Sequence, residues 1–166
     1  LATAISLGYE KNKRKNEKLL LSALTNPAHF EPWIKAMQEA DAPLAGIYTV
    51  AQMGGGLLKK LGKAGARAML LTYQDHSIRE SYLVDGHPLF SRMVPLFDSS
   101  IAGIASRLAA ESTKLHQYLA GQRLIRRSEP MPVFILAHPQ AVATVRQACV
   151  DTTSLHFEII DSHQAA

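Results

Sequence analysis

The chain is poor in the residues that mark several functional classes. It has one cysteine, Cys149, in 166 residues, which excludes an internal disulfide framework and a multi-cysteine zinc site. No apolar run approaches the roughly 20 residues that cross a bilayer as a helix. The first residues, LATAISLGYE, carry no basic segment before their apolar ones, so they do not read as a signal peptide. They also lack a starting Met, which suggests a piece of a longer chain, and the near-absence of cysteine fits a cytoplasmic compartment. The seven histidines include no i, i+4 pair on one helix and no HExxH motif, so no metal is expected.

Charge of one sign is also scarce outside one stretch. The net charge is +4, and residues 10–18 (EKNKRKNEK) hold five basic and two acidic groups, leaving about +1 elsewhere. Lys11, Lys13, Arg14, Lys15 and Lys18 are the candidate interaction surface. They lack the interleaved aromatic readout of a nucleic-acid stripe, so no nucleic-acid partner is expected. A solvated loop is the plainer reading, and such charge also attracts acidic partners.

What is present is the pattern of an α/β protein. The apolar run Ala68–Tyr73 reads as a strand covered on both faces, followed by the polar turn Gln74-Asp75-His76. Ser77–Val84 and His87–Val94 follow as strands joined by Asp85-Gly86, a two-residue turn suited to positive φ. A helix capped by Asp98 or Ser99 runs to about Ala120, with Ile101, Ile104, Ala105, Leu108, Ser112, Leu115 and Leu119 on one face and Gly121 as its C-cap. Val133–Ala137 is a buried strand and Pro139–Val150 a helix with Val142, Val145 and Ala148 inward. Leu155–Ile160 is an edge strand.

Upstream, Thr3–Tyr9 and Lys18–Leu24 read as a hairpin with the basic stretch at its tip. Thr25 or Asn26 caps a helix carrying Phe30, Trp33, Ile34 and Met37, and Leu44–Val50 is a third strand. Ala51–Leu61 is a helix despite three consecutive glycines, which suit a close approach to a neighbour. It is not a phosphate loop, because one residue too many separates Gly56 from Gly62-Lys63, and Ala64 stands where Ser or Thr is needed. The expected lobes are 1–62 (β-β-α-β-α) and 63–166 (β-β-β-α-β-α-β), meeting at Lys63-Ala64-Gly65.

The second order is similar to the ribonuclease H-like lobe of the actin and sugar kinase superfamily. The hairpin VDGHPLFSRMVP, the helix ASRLAAESTKLHQYL with Glu111, and the upstream Trp-bearing β-α-β together resemble the PilM family of type IV pilus assembly and the related L-type cytoplasmic proteins of type II secretion. The resemblance implies an ATP site built from Asp75, Ser77, Glu111 and His138. Its elements are degraded here. The first turn has Asp75 but no glycine, the second has Pro139, and the first-lobe phosphate hairpin would precede Leu1. The implied function is a non-catalytic, actin-like scaffold or interaction domain without cofactor, meeting protein partners in pilus or secretion assembly. An ATP-binding or ATPase domain using ATP and Mg²⁺, completed by a missing N-terminal lobe, is the alternative.

Two other sets of residues have plainer roles. Asp75-His76-Ser77 are adjacent in a turn, where triad geometry is not formed. Cys149 reads as a buried thiol, and Arg92 as a surface partner of Asp85 or Glu80.

Overall fold

The computed structural model describes residues 2–10, 13–23, 26–63, 65 and 67–165. The chain divides into two compact units, 1–47 and 48–166.

In the first unit, β1 (Ala2–Glu10) and β2 (Lys13–Ala23) form an antiparallel two-stranded sheet. The register shifts between Ser6 and Tyr9, around Gly8 at φ +83°. β2 begins earlier than the sequence suggests, so much of the basic stretch is strand and not hairpin tip. A short 3₁₀ turn (Pro27–His29) leads into α1 (Glu31–Glu39). Thr25 lies outside the described residues, and Asn26 makes no side-chain capping bond. Among residues 2–47 whose side chains are described, none is buried, and Trp33 is 74% exposed.

The strand expected at Leu44–Val50 is not formed. Its apolar residues read as a strand, but Leu44, Ile47 and Tyr48 are exposed and have no ladder to join among the described residues. Thr49 instead opens a helix with a capping box: its hydroxyl accepts from the Gln52 amide, and the Gln52 side chain accepts from the Thr49 amide.

That helix, α2 (Val50–Lys60), belongs to the compact unit that begins at Tyr48 and packs on its sheet. Its glycines make this possible. A β-carbon on Gly55 would overlap the backbone carbonyl of Gly86, and one on Gly54 would press on Leu70.

The second unit is a five-stranded mixed sheet in the order β5-β4-β3-β6-β7, compatible with an actin-like fold. Its strands are β3 (Arg67–Gln74), β4 (Ser77–Val84), β5 (His87–Pro95), β6 (Met131–Ala137) and β7 (Leu155–Asp161). β3, β6 and β7 are mutually parallel, and β4 and β5 complete an antiparallel meander. Asp85 and Gly86 both take positive φ, as the sequence predicts for that turn. The Asp75-His76 turn does the same without a glycine.

The long helix α3 (Ile101–Gly121) is capped by Ser100, whose hydroxyl accepts from the Gly103 amide. Asp98 instead accepts from the Ser100 amide and holds that cap in place. Gly121 stays within the helix, and Arg123, at φ +58°, takes the left-handed turn beyond it. α4 (Pro139–Ala148) joins β6 to β7, and a short α5 (Ser162–Ala165) follows β7.

Two cores result from the strict alternation of each strand. Met69, Leu71, Tyr82 and Val133 pack under α3 and α4, while Ala68, Leu70, Leu83 and Phe134 pack with Leu58 of α2 and Ala165 of α5. β3 is therefore buried on both faces, as its continuous apolar run requires. In α4 the inward residues are Ala141, Val145 and the C-cap Cys149; Ala148 is exposed, one position off the expected face.

Candidate functional site

Ligands of open α/β sheets bind beyond the carboxyl ends of the parallel strands. Here those ends are Tyr73 on β3 and Ala137 on β6, with the first turns of α3 and α4 on either side. They enclose a recess of about 430 Å³ lined by Tyr73, Ile101, Ile104, Leu108, Ala137 and His138, among others. Its walls are mostly apolar, and the side chains with polar groups that line it are Tyr73, His138, Gln140 and Ser162. Tyr73 and Ile101 remain partly exposed at the rim.

Of the four candidate nucleotide residues, His138 alone lines this recess. It is the N-cap of α4, its Nδ1 accepting from the Gln140 amide at 3.3 Å, and its ring meets that of His163 edge-on at 5.4 Å. Pro139 follows at the first helical position and offers no amide. Asp75 sits in the β3–β4 turn, where its carbonyl accepts from the Ser77 hydroxyl at 3.3 Å. Neither lines the recess. His76 is tied instead to Ser99, Nδ1 to Oγ at 2.9 Å.

Glu111 lies elsewhere, facing the sheet from the middle of α3, and is 2% exposed. Opposite it on β4 is Glu80, fully buried. Arg92 on β5 spans the two, with Nε to Glu80 Oε2 at 2.7 Å and Nη2 to Glu111 Oε2 at 3.5 Å. Arg107 and Lys114 reach Glu111 Oε1 at 3.2 and 2.8 Å. Arg92 therefore pairs with Glu80, one of its two expected partners, but as the lid of a buried acid pair.

The electrostatics of that pair are asymmetric. Burial pushes the Glu80 carboxyl up to about 7, against the pull of Arg92, and contact with Glu111 adds to the rise. Burial also acts on Glu111, but Lys114, the Glu80 contact and Arg107 outweigh it and hold Glu111 below the usual range. Glu80 Oε1 has no donor among the described residues, which fits a carboxyl that keeps its proton to higher pH than its neighbour. The sequence hid this cluster because nothing about Glu80 in RESY announces its burial. Only the alternation that puts Ile78, Glu80 and Tyr82 on one face points to it.

Among the described residues no group of three or more His, Cys, Asp or Glu is arranged to hold a metal ion. The Cys149 thiol is buried, and burial pushes it up to about 11, so it is protonated and unreactive at neutral pH. No helix of the described residues is long and apolar enough to cross a membrane.

Of the expected basic surface, Lys11 lies outside the described residues, as do the side chains of Lys13, Arg14 and Lys15. Lys18 is exposed on β2.

No protein-family model matches the sequence, and no curated protein matches it. Among solved structures, the chain is similar to one described as a PilM-PilN type IV pilus biogenesis complex, with a TM-score of 0.58 and 11% identity. The match covers 99% of this chain and 57% of that one, so the chain spans little more than half the length of its structural neighbour, and what the two share is a fold.

Proposed function

We propose that the chain is a non-catalytic, actin-like interaction domain of an envelope assembly of the pilus or secretion type, whose recess at the strand ends takes apolar side chains from a protein partner. The observation that carries this reading is the apolar lining of the place where a nucleotide-binding relative would cradle phosphate. Phosphate cradles use convergent backbone amides and glycines that let the anion approach. Here the β3–β4 turn carries Asp75 and His76 at positive φ, Pro139 removes an amide, and Ile101, Ile104 and Leu108 form a wall. A likeness to a pilus biogenesis complex supports protein partners as the setting.

Placing charge at the rim tests the reading. In the full chain, Ile101→Asp is expected to weaken co-purification with pilus or secretion assembly proteins by about tenfold, the effect of losing one buried aliphatic contact. Lys35→Asp, an exposed change in the first unit, is expected to leave it unchanged. Equal recovery of partners with Ile101→Asp and the parent would contradict the proposal.

The second reading, an ATP-binding lobe, has His138 and the amides of α4 as its surviving features. It requires phosphate contacts from a lobe outside residues 1–166.

A further inference from the structure

At the opposite end of the sheet, where β3 and β6 begin, a second recess of about 390 Å³ is lined by Arg67, Arg123, Arg126, Glu129, Ala120 and Leu124, with Ile125 behind them. Three guanidinium-bearing residues thus share one pocket with a single carboxylate. Glu129 is already engaged, by Arg67 Nη1 at 2.5 Å and by the Arg126 amide at 3.2 Å. Among the described residues no carboxylate lies within ion-pair distance of the Arg123, Arg126 or neighbouring Arg127 guanidinium, though the charge of Arg126 acts on Glu129 at longer range.

The backbone that carries these cations is fixed. Ile125 is 6% exposed and belongs to the main core, so it pins the segment between its arginines. The Leu124 amide donates to the Leu119 carbonyl at 3.0 Å, and the Glu129 amide to Arg126 at 3.0 Å. Arg123 sits at φ +58°, a conformation that side-chain-bearing residues seldom adopt. The usual service of such residues, complementing the dipole at a helix end, does not account for the group: the last turn of α3 contains no basic residue, and Arg67 comes from β3. Alongside, across Ala120, a recess of about 650 Å³ carries Arg127, Thr113, Thr152 and Ser154, which extends the donor surface.

We propose that this arginine recess binds the carboxylates of a short acidic segment on a protein partner. Planar guanidinium forks match carboxylates bidentately, and two or three of them on a fixed backbone select a segment with several acidic side chains. A nucleic-acid backbone fits less well: the recess is compact, Glu129 sits inside it, and no aromatic ring lines it for base stacking. The inference stands on these residues alone and is independent of the apolar recess at the other end of the sheet.

Fluorescence anisotropy on the full chain decides it, with a dye-labelled octapeptide of alternating Glu and Gly as the probe. The peptide is expected to bind with an affinity that falls as salt is added, and its Gln-for-Glu counterpart is not. The double variant Arg123→Ser/Arg126→Ser, both exposed positions, should weaken binding about fivefold or more. Arg146→Ser on α4 should leave it intact. Failure of the Glu peptide to bind, or equal binding by the double variant, overturns the inference. So does a thymidine oligonucleotide of equal charge that binds as tightly and loses as much in the double variant.

Discussion

Gly55→Ala is expected to destabilise the second unit by about 3 kcal/mol or more, the upper range for forcing extra volume into a packed site. The new β-carbon would overlap the Gly86 carbonyl, which is backbone and cannot rotate away. Either α2 lifts off the sheet, uncovering Leu58, Leu70 and Leu83, or the β4–β5 turn breaks its pairing. The neighbouring Gly56→Ala makes the contrast, because a β-carbon there meets no atom within 4 Å. A mid-helix glycine costs about 0.5–1 kcal/mol relative to alanine, so Gly56→Ala should raise stability by that amount. Urea unfolding of both variants reads the difference directly. Similar midpoints for the two would mean that α2 does not pack on the Asp85-Gly86 turn as described.

The second large effect is a dependence of stability on pH near neutrality. Glu80 titrates at about 7 in the folded chain, against 4.5 when it is unfolded and solvated. The folded state therefore holds a proton that the unfolded state releases between those values. The stability this group contributes is fully present below about pH 4.5 and lost as pH rises through about 7, on the order of 3 kcal/mol in all. Asp98, Asp151, Glu129 and Glu111 have depressed pKa values and act in the opposite sense, losing their contribution as pH falls below the ordinary carboxylate range. Stability is thus expected to peak between about pH 5 and 6 and to decline toward pH 8. Glu80→Gln keeps an acceptor for Arg92 and offers an amide to Glu111, so it should flatten the decline and exceed the parent in stability above pH 7.5. Denaturant melts at pH 5.5, 7 and 8.5 test this, and a parent slope unchanged by Glu80→Gln would contradict the raised Glu80 carboxyl.

Much of the second unit was legible because its local signals agree with one another. The both-faces apolar run of β3, the Asp-Gly turn and the heptad-like face of α3 each prescribe one element, and the elements occur in the order expected. Where local signals compete with tertiary ones, the sequence misleads. Leu44–Val50 has strand composition, but strands need a ladder, and the Thr49–Gln52 capping box claims its end for a helix. The three glycines of α2 look like weak helix, and their purpose emerges only from the carbonyl that passes against Gly55.

The site was less legible for the same reason. His138, which follows a buried strand in the sequence, lines the recess, whereas Glu111 lies under Arg92, paired with a glutamate that no motif singles out. The family resemblance makes Asp75 and Ser77 phosphate ligands, whereas here the Ser77 hydroxyl donates to the Asp75 carbonyl within one turn. Their service to a nucleotide remains part of the alternative reading and is open to direct measurement.

That measurement is a calorimetric titration of Mg-ATP into the folded full chain, at protein and ligand concentrations able to register millimolar affinity. An apolar recess without a phosphate cradle predicts only heats of dilution. Saturable heat that disappears with His138→Ala would contradict the account and make the lobe a nucleotide site.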